Sequence, residues 1–189
     1  MRFYKLLMDD SDDRDVVAHC IDTKGFEQYE LSEGKYIHNW NSEITFYFDP
    51  KEAEKLTDYL ANNLGWFIVS ERFKAILEEV DSGIQYLPVN VVNKGENKIL
   101  KGFSVANILN VVDALNLEHS DYSVFELDGE RIYSIKKYAL CKEAIQSKHI
   151  IKLKGDEIPI FISEELRELI EKNNITGFDF LEVKGYRQE

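Results

Sequence analysis

The sequence predicts an α+β fold: a mixed or antiparallel sheet with about four helices, containing two related strand-helix-strand units. Two observations carry that expectation. A phrase occurs twice, as Val69-Ser-Glu-Arg-Phe-Lys-Ala-Ile-Leu-Glu-Glu followed by Gly83-Ile-Gln-Tyr-Leu-Pro-Val89, and as Ile162-Ser-Glu-Glu-Leu-Arg-Glu-Leu-Ile-Glu-Lys followed by Gly177-Phe-Asp-Phe-Leu-Glu-Val183. Each copy reads as strand end, serine-capped helix, glycine turn and strand. Hairpin signals also interrupt any strict βαβ alternation, which favours an α+β arrangement over a doubly wound one. Two copies are too few for a solenoid, which needs about three stacked units.

The elements follow in order. Residues 2–8 and 16–21 read as short strands around an acidic loop, Asp9 to Asp15. Ile44-Thr-Phe-Tyr-Phe48 alternates and is aromatic, as a strand requires. Asp49-Pro50-Lys51-Glu52 then supplies an N-cap, a proline at the first helical position and a capping-box glutamate. It predicts a helix that buries Ala53, Leu56 and Leu60 and ends at Asn62-Asn63-Leu64-Gly65. Trp66 to Val69 reads as a buried strand, and Ser70 caps a helix with Phe73, Ile76, Leu77 and Val80 on one stripe. Gly83 turns the chain into a strand over 84–92. Pro88 cannot donate to a ladder, so that strand lies at an edge or carries a bulge there.

After a polar turn at 93–98, Ser104 is expected to open an apolar helix with Val105, Ile108, Leu109, Val112 and Leu115 inward. Residues 122–127 and 131–136 flank Asp128-Gly129, a hairpin signal resting on the positive φ that glycine accepts. A short helix is expected within 138–147. Strands at 150–153 and 158–162 precede the Ser163-capped helix, which turns Leu166, Leu169 and Ile170 inward. A strand over 178–183 closes the fold, with a frayed tail beyond Gly185. With no linker rich in Pro, Gly or Ser, the expected organisation is an acidic N-terminal lobe (1–65) packed on a C-terminal module (66–189) that holds both units.

Composition narrows the function. The chain has 189 residues and a net charge of −12, with 35 acids against 23 bases. Residues 1–60 carry 14 acids and 7 bases, a local charge of −7. Such a surface is unsuited to nucleic-acid phosphates or anionic membranes and suited to a basic protein partner. No stretch approaches the roughly 18 apolar residues of a membrane span. The N-terminus reads as a strand rather than a signal peptide, so a cytoplasmic location is expected. Cys20 and Cys141 stand far apart without metal-ligand spacing and read as reduced thiols.

No catalytic motif stands out. A Gly-rich phosphate loop, a GxSxG elbow, an HExxH helix and a paired-cysteine zinc site are all missing from the sequence. Ser134-Ile-Lys-Lys137 matches SxxK only in a strand context. His19, His38, His119 and His149 show no i, i+4 pairing. No catalytic residue, cofactor or metal is therefore expected. Asp9, Asp10, Asp12, Asp13 and Asp15 lack the glycine and distal glutamate of a calcium loop, since Ile21 falls where that glutamate belongs. They read first as a solvated loop and second as a patch for Lys or Arg of a partner. Tyr36 and Trp40, of residue types favoured as interface anchors, join them as candidate partner-binding residues.

The segments Trp66–Val89, Ser104–Leu115 with Asn110-Val-Val-Asp-Ala-Leu, and Ile160–Val183 together resemble immunity protein family eleven of bacterial polymorphic toxin systems. That family was earlier catalogued as a domain of unknown function. The Val-Ser-Glu-Arg-Phe phrase and the Gly-Phe-Asp-Phe ending weigh most. The resemblance implies a non-enzymatic protein that binds and neutralises a cognate toxin domain, expected to be basic, with a nuclease as one candidate. The alternatives are an enzyme with an unrecognised site and a general protein-interaction adaptor.

Overall fold

The computed structural model describes residues 2–127 and 130–186. Its strands are β1 (Phe3–Met8), β2 (Val17–Ala18), β3 (Thr45–Phe48), β4 (Tyr59–Asn62), β5 (Ile68–Ser70), β6 (Ile84–Asn93) and β7 (Lys98–Ile108). They continue with β8 (Val111–Val112), β9 (Asp121–Leu127), β10 (Glu130–Lys137), β11 (Ala139–Cys141), β12 (Ile150–Leu153), β13 (Asp156–Ser163) and β14 (Phe178–Tyr186). The helices are α1 (Glu71–Val80), α2 (Lys142–Ile145) and α3 (Glu164–Lys172), with one 3₁₀ turn at Gln28–Leu31. The Asp128-Gly129 turn and the tail beyond Tyr186 lie outside the described residues.

One six-stranded sheet runs β2-β4-β5-β7-β6-β3. His19, directly after β2, exchanges both backbone hydrogen bonds with Tyr47 of β3 at 2.8 and 2.9 Å. The sheet thus returns to its own beginning as a small barrel, which leaves it no open edge there. Its interior holds Ile44, Phe46, Leu60, Trp66, Ile68, Val91 and Val105.

The second sheet runs β11-β14-β1-β13-β12-β8. One face, with Tyr4, Ile150 and Ile162, packs through α1 and α3 on the outer face of the barrel, where Phe67, Val69, Ala106 and Ile108 point. The other face, with Phe3, Ile151, Phe161 and Val183, is covered by Ala114, Leu140 and Ile145. The period-2 alternation of strand side chains therefore serves three cores.

The two repeated phrases are one motif. β5 and β6 flank β7, and β13 and β14 flank β1; each inserted strand is antiparallel to both of its neighbours. The registers coincide as well. Ser70 and Val89 lie opposite Phe103, while Ser163 and Val183 lie opposite Phe3. A strand-helix-strand phrase leaves a gap one strand wide. The chain fills it once with the strand that follows the unit and once with its own N-terminus.

Two helix expectations are corrected. The helix expected from Ser104 to Leu115 is instead the inserted strand β7, followed by β8. Residues 104–108 are buried throughout, because this strand has the barrel interior on one side and the shared core on the other. Burial on both faces removes alternation, and an unbroken apolar run also satisfies helical spacing. The helix expected after Asp49 amounts to one turn. Asp49 does cap it, accepting Lys51 N at 2.9 Å, and its carbonyl accepts from Glu52 and Ala53. Lys55 is then drawn into backbone pairing with Arg14 and Val16, and Tyr59–Asn62 becomes β4. A first turn is costly to nucleate and does not propagate against that competition. The α+β class holds with three α-helices among the described residues, not about four. Pro88 itself stays in register opposite Ser104, on the part of β6 that β3 does not reach, and the β6–β7 register shifts further on, between Val89 and Val91.

Candidate functional site

Polar side chains at two corners fasten the two units to each other. Asp58, just before β4, accepts the Ser70 hydroxyl at 2.6 Å, the Arg72 guanidinium at 3.0 Å, and the Thr176 amide and hydroxyl at 3.0 and 3.1 Å. Burial alone would raise its carboxyl, but those donors outweigh burial and hold it below the usual carboxylate range. Arg72 also donates to the Asn174 carbonyl at 2.8 Å, so a cation of α1 meets the carbonyl end of α3. At the opposite corner, Asp81 beyond α1 accepts Gly83 N, Asn110 Nδ2 and His149 N at 2.8, 2.8 and 3.0 Å. His149 Nδ1 lies 2.9 Å from the Ser163 hydroxyl that caps α3.

Lys152 is the other unusual group. It is 3% exposed, on β12, and its ammonium donates to the carbonyls of Ser32 at 2.7 Å and Leu31 at 3.4 Å, where the 3₁₀ turn ends. Burial pulls its pKa down to about 8, with Glu157 acting weakly against that shift. Lys152 lies at a cleft of about 480 Å³ between barrel and second sheet, lined also by Tyr29, Leu64, Trp66, Phe67 and Ile160. A lysine inside the apolar run Ile150-Ile-Lys-Leu153 was the available sequence signal for it.

The residues singled out from sequence fall into two groups. In the acidic loop, Asp9 caps the Ser11 amide at 2.9 Å. Asp12 accepts Arg14 through both oxygens, at 2.9 and 2.8 Å, and Lys55 at 3.1 Å. The Arg14 hydrogen bond, before any other cause, holds the Asp12 carboxyl far below its usual range. Asp15 pairs with Lys55 at 2.8 Å. Asp10 and Asp13 are exposed, and no ion pair joins either among the described residues. The second group sits against β6 and β7. Trp40 is half-buried, donates Nε1 to the Pro88 carbonyl at 2.8 Å, and packs on Phe26 and Trp66. Tyr36 is 58% exposed beside His38. Its segment is pinned where Ile37 exchanges hydrogen bonds with the Gln85 amide at 2.9 and 2.7 Å. No hydrogen bond or ring contact joins the two groups among the described residues.

Cys20 is buried and Cys141 half-buried, both are free, and burial raises both thiols. Among the described residues no group of three or more His, Cys, Asp or Glu side chains is placed to hold a metal. No helix among them is long and apolar enough to cross a membrane.

What these elements define is an α+β scaffold whose interior polar groups hold one element to another. The chain belongs to the immunity protein family Imm11, whose model matches residues 2–185. That span takes in the N-terminal third as well as both repeated units, and membership points to a toxin-neutralising immunity function. A comparison with curated proteins finds no match.

Proposed function

We propose that this protein neutralises a cognate toxin domain by direct contact, without catalysis, and that the toxin surface it covers is basic. The membership of residues 2–185 in an immunity protein family carries the reading. The net charge of −12 supports the choice of a cationic partner, because opposite charge steers encounter and suppresses wrong partners. Asp10 and Asp13, exposed and free of ion pairs among the described residues, offer charge to a partner. Asp9, Asp12 and Asp15 shape the loop that presents them. Tyr36 adds exposed aromatic surface on a pinned segment, and Trp40 stiffens that segment from within. A nuclease would satisfy the charge argument, since a phosphate-binding active surface is cationic.

Co-expression tests the reading. The toxin domain encoded next to this protein's gene should kill cells alone and be harmless beside it. Continued killing with both proteins soluble defeats the proposal for that pair. An association rate that does not change with salt defeats its electrostatic part.

A further inference from the structure

The second sheet keeps one edge partly open. On its outer side β14 is paired by β11 at Lys184–Tyr186, and among the described residues no strand pairs Phe178–Val183 there. The Phe180 amide points away from β1 and is met by the side chain of its own neighbour, Asp179, at 2.7 Å. Facing this edge is the root of the two-stranded ribbon β9–β10. Among the described residues that ribbon pairs only with itself, and it leaves Tyr122, Val124, Phe125 and Tyr133 exposed. Between ribbon and edge runs a groove of about 630 Å³.

The lining of this groove opposes the charge of the whole molecule. Lys5, Lys136, Lys137 and Lys184 line it against a single acid, Glu182. No ion pair engages any of the four lysines among the described residues. Lys5 stands over the Tyr138 ring, 5.1 Å from its centroid, and so keeps its charge at the groove floor. Leu181, 53% exposed, adds apolar surface beside Ile135 and Val183. In a protein of net charge −12, four lysines against one acid, none of the four in an ion pair among the described residues, mark a place where negative charge is to come from outside. An open strand edge asks for backbone donors and acceptors, and the alternating side chains of an added strand can meet the apolar floor and the lysines in turn.

We propose that this groove docks an extended acidic segment of a partner protein, which adds to the open edge of β14 as a further strand. This goes beyond the toxin reading and does not depend on it, since that reading places acidic loops against a basic surface.

The test uses the full chain and a fluorescein-labelled peptide of alternating glutamate and valine, followed by fluorescence anisotropy and amide hydrogen exchange. The peptide should bind, and the K136E/K137E variant should weaken binding about tenfold or more. Asp10→Lys should leave binding unweakened, because it lies outside the groove. The outward amides of Phe178, Phe180 and Glu182 should gain protection with peptide bound. The proposal is overturned by absent binding, by equal binding of a lysine-valine peptide, or by unchanged affinity in K136E/K137E. Binding without protection of Phe178, Phe180 and Glu182 also overturns it. Tighter binding of an oligothymidylate would assign the groove to nucleic acid, and self-association lost in K136E/K137E would assign it to a second copy; either outcome replaces the acidic segment.

Discussion

Asp58 concentrates more of the fold in one carboxylate than any aspartate in the acidic loop. Four hydrogen bonds meet it from Ser70, Arg72 and Thr176, which belong to both units. Asp58→Ala strands those donors and should lower stability by about 2–4 kcal/mol in denaturant unfolding. Because the native carboxyl titrates below its unfolded value, its contribution is complete above the ordinary carboxylate pKa and is lost as pH falls through the native one. The variant should therefore lose less stability than the wild type on acidification. Lys152 has a dependence of the same sign in an alkaline window. Its pKa is about 8 when folded against 10.5 when unfolded, so the unfolded chain holds more protons between those values. Stability from this residue is greatest above pH 10.5 and is lost as pH falls through 8. The difference in unfolding free energy between wild type and Lys152→Met should move toward wild type by up to about 3 kcal/mol from pH 8 to pH 10.5.

At the scale of elements, the two serine caps invite comparison. Ser70 accepts Phe73 N at 3.3 Å and donates to Asp58, while Ser163 accepts Leu166 N at 3.2 Å and meets His149. Ser163 is fully buried and Ser70 half-buried. Ser163→Ala should cost about 1–2 kcal/mol and Ser70→Ala nearer 1 kcal/mol, measured by chemical denaturation. These caps, their apolar stripes and Gly177 were all readable in the sequence, because each rests on local chemistry. Gly177 has a φ of +94°, and an added Cβ would meet the Tyr59 carbonyl at 2.7 Å. β7 was not readable, because its neighbours β5 and β6 and the core beyond them decide it, and its own run fits helix and strand equally. The turn after Asp49 failed for a related reason: its cap is local, but the pairing of Lys55 with Arg14 and Val16 is not. Of the polar groups, the acidic loop announced itself by repetition. Asp58 and Asp81 did not, since their partners lie up to 118 residues away.

For the whole molecule, both halves of the sequence contribute to each sheet system. β1 lies between β13 and β14, while β2, β3 and β4 complete the barrel begun by β5, β6 and β7. A fragment spanning 66–189 should therefore lack a cooperative thermal transition, and adding residues 2–65 in trans should restore one if the strands can pair. Surface charge is separable from this architecture. The pair Asp10→Lys and Asp13→Lys should change stability by less than about 0.5 kcal/mol. The same pair should slow toxin association and flatten its salt dependence in stopped-flow measurements.

The place of β1 also sets an order of events during synthesis. Phe3 pairs with Ser163 and Val183, so β1 leaves the ribosome well before β13 and β14, the strands that house it. At about 5–20 residues per second, that interval lasts roughly 10–30 s. The barrel strands between 17 and 108 can find one another in that time, whereas Phe3 and Tyr4 wait with no partner strand. A nascent chain of this protein is thus half built well before it is whole. In those seconds the apolar face of β1 is open to wrong partners.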